Sequence, residues 1–181
     1  MKHLITSLSL CGLAFGSLFS SASFASVASF AKEDELGKTV TQVWQALSHA
    51  ADSGADTHQL KKLFHSQAQV FGATYRRGEA KLDIDPIQTF IRNVSKKNVQ
   101  GFYECEIARE TKVYENFAHV YSVVESRQNQ QDDKPNFVGV NSLQLYKTEQ
   151  GWKVLSLFYH IENKDSPIRI AQGKSGQCLK D

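Results

Sequence analysis

Four side chains in the second half of the sequence have the types and positions to hold a small molecule: Tyr121, Asn141, Phe158 and His160. His160 ends the run GWKVLSLFYH, and its imidazole is a group able to give or take a proton in catalysis. Tyr121, in AHVYSVVES, offers a phenol as proton donor or hydrogen-bond donor. Asn141, among the apolar residues of NFVGVNSLQLY, would hold an amide fixed in a dry wall, suited to orienting a ligand carbonyl. Phe158 would supply apolar surface between them. His160 and Tyr121 are therefore the candidate acid and base, and the four together the candidate pocket. Each also has a plain structural use: a strand-end histidine bonded to a neighbour, a packed tyrosine ring, an amide bonded within a sheet.

Other ionisable residues fit structural work. Glu104 and Glu106 alternate beside Glu110 and read as a solvated strand face. Asp83 and Asp85 flank a helix start, where capping accounts for them, and His65 follows Phe64 where a histidine complements a helix C-terminus. Cys105 and Cys178 form an even pair that either makes one disulfide or stays as two thiols. No CxxC and no His/Cys cluster at metal-ligand spacing occurs, so neither a metal nor a cofactor is expected.

The elements that must position these residues are legible from periodicity. Between Asp34 and Ala51, Leu36, Val40, Val43, Trp44 and Leu47 recur at three and four residues and predict an amphipathic helix. A second, short helix is expected over Thr57–His65, a strand over AQVFGATY, a turn at RRGEA, and a third helix in DIDPIQTFIRNVSKK. After Gly101 the period falls to two, which predicts long strands over Phe102–Val113, Ala118–Ser126, Phe137–Thr148 and Gly151–Glu162. Lys153 favours the outside, so the Trp152, Val154, Ser156, Phe158 and His160 face is placed inward. Helices segregated from a meander of strands make an α+β domain.

The start of the chain reads as an export signal. Lys2 precedes an apolar stretch from Leu4 to Phe19, and Ser23-Phe24-Ala25 has the small residues of a cleavage site, with Ala31 as the alternative. The expected organisation is a signal peptide over 1–25, a flexible N-terminus over 26–33, a domain over 34–163 and a C-terminal tail over 164–181. The mature chain would be periplasmic or secreted, with no membrane anchor. About 150 residues remain, the size of one domain with one core. Lys plus Arg is 21 against 19 Asp plus Glu, and no basic stripe is present, which argues against nucleic acid as a partner.

Three stretches, the first helix into LKKLFHSQAQVFG, the helix DPIQTFIRNV, and the strands FVGVNSLQLYKTEQGWKVLSLFYHIEN, resemble the nuclear-transport-factor-2-like superfamily, including its SnoaL-like and ketosteroid-isomerase-like proteins. The resemblance covers about Leu36 to Asn163. It implies a cone: a strongly curved antiparallel sheet wrapped around the first helix, with a pocket at the open end. Enzymes of that kind use an aspartate base with a tyrosine or protonated acid, or an Asp-Arg-Asp set, and no aspartate falls on the last four expected strands. The function expected is thus an exported protein that binds a small apolar or amphipathic molecule without turnover, with a homodimer as the candidate assembly. An isomerase, cyclase or dehydratase, and a periplasmic protein-interaction module, are the alternatives.

Overall fold

The computed structural model describes residues 22–169 and 173–180. Most of the expected signal segment, 1–25, lies outside the described residues. The elements are helix α1 (Ala22–Leu47), helix α2 (Thr57–Leu63), strands β1 (Phe64–Arg76) and β2 (Glu79–Pro86), helix α3 (Ile87–Val94), and strands β3 (Tyr103–Tyr114), β4 (Phe117–Arg127), β5 (Phe137–Thr148) and β6 (Gly151–Ile161). α1 starts twelve residues before the Asp34 expected, so the helix takes in 26–33. The stretch ASFASVASFAKE contains neither Gly nor Pro, and nothing in it stops a helix from running back.

Six strands form one curved sheet in the order β2-β1-β6-β5-β4-β3. Every neighbour pair is antiparallel except β1 and β6, which run parallel, so the sheet is mixed and not wholly antiparallel as expected. The two strands meet through a long excursion of chain, and no hairpin obliges them to oppose. β2 is an unforeseen strand: the stretch read as the approach to α3 first pairs back on β1.

α1 lies on the concave side of the sheet. Its Leu36, Val40, Val43, Trp44 and Leu47 are buried with Val120 and Val124 of β4, Leu143 and Leu145 of β5, and Val154 and Leu157 of β6. The β4 residues facing the helix are small, because the inside of a strongly bent sheet has less room than its outside. A 2.6 Å ion pair from Lys147 Nζ to Glu35 Oε2 fastens the helix to the β5–β6 turn. Asp56 caps α2 by accepting from the backbone N–H groups of His58 and Gln59, both at 3.0 Å. Among the described residues no helix is long and apolar enough to cross a membrane.

Candidate functional site

α1 stops at Leu47 and α3 has only eight residues, so together they leave part of the concave face uncovered. What remains is a cavity of about 260 Å³. α1 supplies Trp44 and Leu47 to it, and α3 supplies Phe90 and Val94. Phe102 and the sheet residues Glu104, Ser126, Phe137, Asn141 and Tyr159 complete most of the wall. A lining this rich in aromatic side chains, with few polar groups, is the usual make-up of a small-molecule site.

Glu104 is the ionisable group the sequence reading placed wrongly. It and Glu106 were expected on a solvated face; neither is there. Glu106 is buried and paired with Arg109, which also reaches Thr41 of α1 at 2.9 Å. Glu104 lines the cavity, and its Oε2 is shut off from solvent with no hydrogen-bond partner. One long contact serves the other oxygen, with the Ser126 hydroxyl 3.3 Å from Oε1. Burial is the chief cause that pushes the carboxyl up to about 8, against the Ser126 bond and with help from the charge of Glu106. The group is therefore a neutral acid at pH 7, poised to lose its proton slightly above that.

Tyr159 lines the same cavity. Burial first, then the charges of Asp83, Asp85 and Glu104, raise its phenol above the ordinary range. Its ring reaches across to β1, where Gly72 is its register partner, and a Cβ built on Gly72 would collide with the Tyr159 hydroxyl. Only glycine leaves that space. Gly72→Ala should displace the phenol from the wall and lower stability by about 1–3 kcal/mol, as overpacking does. Urea unfolding of the two proteins measures the loss, and equal midpoints would show that the ring moves aside without effect.

Of the four residues singled out by sequence, the structure sets Asn141 in the cavity wall and leaves His160 at its border. Asn141 is 7% exposed and lines it. His160 borders it, while its ring packs edge-on to Tyr75 at 5.6 Å and its Nδ1 lies 2.8 Å from the Ile161 carbonyl. Phe158 and Tyr121 are on the convex face, 42% and 43% exposed. The cause for Phe158 is a bulge: Val154 pairs with Leu145 and Ser156 with Gln144, which leaves Leu155 without a partner and reverses the facing of everything after it. Tyr159 thus takes the inward place assigned to Phe158. Tyr121 lies on the outer face because Ala118, Val120, Ser122 and Val124 are the inward set of β4. His160 and Tyr121 do not form an acid–base pair across the cavity.

The convex face carries the C-terminal tail. Cys105 and Cys178 are joined in a disulfide with Cα atoms 5.0 Å apart. Around it, Ile168 packs on a small outer cluster of Ile107, Val123, Val138 and Val140. The Leu179 N–H donates to the Glu106 carbonyl at 2.7 Å, and the Gly176 N–H to Glu125 Oε2 at 3.0 Å. Burial works against the ionised form of Glu125, yet the Ser175 hydroxyl, Arg127 and the Gly176 N–H together hold its carboxyl below the usual range. Among the described residues no group of three or more His, Cys, Asp or Glu could hold a metal ion.

No protein-family model matches the sequence, and no curated protein matches it. Solved structures do. An NTF2-like protein with a cystatin-like fold from Novosphingobium aromaticivorans is 12% identical with a TM-score of 0.63, over 82% of this chain and 94% of that one. An NTF2-like protein of unknown function from Shewanella baltica is 20% identical with a TM-score of 0.53, over 75% and 97%. A protein of unknown function with a cystatin-like fold from Nostoc punctiforme is 11% identical with a TM-score of 0.54, over 73% and 92%. At these identities the likeness establishes the fold.

Proposed function

We propose that this chain, which has the nuclear-transport-factor-2-like fold, is a small-molecule-binding protein whose ligand occupies the cavity between α1, α3 and the concave face. One observation carries the reading: an aromatic-walled cavity of about 260 Å³ encloses a carboxyl that lacks a full set of hydrogen bonds. A packed core with no ligand role would be expected to exclude such a group or give it partners. The ligand is accordingly amphipathic, with an apolar body against the rings and a polar end beside Glu104. The Cys105–Cys178 bond favours an oxidising compartment, which agrees with export to the periplasm or beyond. A homodimer would use the part of the convex face that the tail leaves open, where Tyr121, Phe158 and Ile84 are exposed.

A second reading, an isomerase, cyclase or dehydratase, is favoured by Glu104 alone. A carboxyl held near 8 can give and take a proton at working pH, and Tyr159 is a phenol on the same wall. Acetophenone, a neutral aromatic of suitable size, tests the binding reading without assuming turnover. Titration calorimetry should give saturable one-to-one binding with a negative heat-capacity change, and a native mass spectrum of freshly purified protein should show a retained molecule. Absence of both results would sink it.

A further inference from the structure

We propose that the cavity is a receptor for an organic cation, an amine or quaternary ammonium on an apolar body, whose charge is met by Glu104. The proposal rests on the reading of the cavity as a ligand site and narrows its chemistry. Three carboxyl groups of β3 and β4 are withdrawn from bulk water to different degrees: Glu106 and Glu125 are buried, and Glu104 is half-buried with its Oε2 shut off. Glu106 has Arg109, and Glu125 has Arg127 at 2.8 Å. Glu104 alone of the three has no cationic partner, and among the described residues neither Lys nor Arg lines the cavity. A positive charge supplied from outside would complete the pattern.

The rest of the wall agrees. Trp44, Phe90, Phe102, Phe137 and Tyr159 surround the space, and aromatic rings attract cations through their electron-rich faces while burying an apolar body. The charged and titratable groups near Glu104 are few. Glu106 on its own strand is paired with Arg109 and still adds repulsion to an ionised Glu104; β6 brings Tyr159 and His160; β4 brings Ser126, which is uncharged. His49 stands beyond Phe102 with its ring 6.0 Å from that ring, and α3 brings only Phe90 and Val94. An anion would meet Glu104 with no counter-charge. A neutral acceptor would use only the protonated acid.

Cation binding has a proton balance that separates it from neutral binding. At pH 7 the free protein holds Glu104 as the acid; a fixed cation pairs with the carboxylate, and the proton goes to solvent. The probe is benzyltrimethylammonium, whose charge does not titrate, with acetophenone as the neutral comparison. Its affinity should rise about tenfold per pH unit between pH 6 and 7.5 and level off above about 8. Calorimetry in two buffers of different ionisation heat should count close to one proton released at pH 7. Glu104→Gln should abolish the release and the pH dependence and weaken the cation at least about tenfold, while acetophenone still binds and so reports an intact cavity. Binding of acetophenone without the cation overturns this proposal and leaves the binding site standing. Equal, pH-independent cation affinity in the Gln variant also overturns it. If neither probe binds, both readings fail.

Discussion

Glu104→Gln is expected to stabilise the protein strongly at pH 8.5 and hardly at all at pH 5. The folded carboxyl titrates at about 8 and the unfolded one at 4.5, so between these values the folded state holds a proton that the unfolded state has released. Stability must then fall as pH rises through that window, by about 1.4 kcal/mol per pH unit, to a ceiling of about 5 kcal/mol. Below 4.5 both states are protonated and nothing is lost; above 8 both are ionised and the loss is complete. Glutamine stands in for the protonated acid at every pH and removes the slope. Urea unfolding of both proteins at pH 5, 7 and 8.5 measures it. Parallel stability curves would show that Glu104 finds water or a partner once ionised.

Loss of the tail's covalent anchor should have a comparable effect. The Cys105–Cys178 bond joins positions 73 apart in sequence, and closing a loop of that length is worth about 4 kcal/mol through the unfolded chain. Cys178→Ser should lower stability by several kcal/mol and raise amide exchange at Leu179 and Gly176, whose N–H groups bond to Glu106 and Glu125. Exchange rates that stay slow at both positions would mean that the non-covalent contacts hold the tail without the bond.

The long elements were open to reading because their periodicity is strong. α1's buried face and the four strands after Gly101 fall within a few residues of the expected places at the ends that matter for packing. The site was less legible for two definite reasons. Alternation says which residues share a face but not which face is inward, and for β4 the decisive fact is space: Val120 and Ser122 fit under α1 where Tyr121 does not. Had the small side of β4 been set inward, its register would have brought Glu104 in as well, since Glu104 pairs with Ser126. The bulge at Leu155 is the second reason. One unpaired residue turned Phe158 outward and Tyr159 inward, and nothing in SLFYH announces it. The tail is held on a surface already apolar by Ile168, the disulfide and a few backbone bonds, and the pairing of Cys105 with Cys178 was one of two outcomes the cysteine count allowed.

The rim of the sheet at β3 has a bearing on how these molecules behave in a crowd. An edge strand leaves a row of backbone donors and acceptors on which another chain can lay its own strand and polymerise. Here that row is largely occupied. Phe102 exchanges both backbone bonds with His49, the Glu104 N–H is taken by the Ser48 hydroxyl at 2.9 Å, and the Glu106 carbonyl by Leu179. Further along, where no such cover is seen, Glu110 and Lys112 are exposed charges. At the opposite rim, β2 carries Glu79, Lys81, Asp83 and Asp85, whose charges discourage docking of a like strand. One border of the sheet is thus largely closed to a further strand by the protein's own chain, and the other is marked by charged side chains.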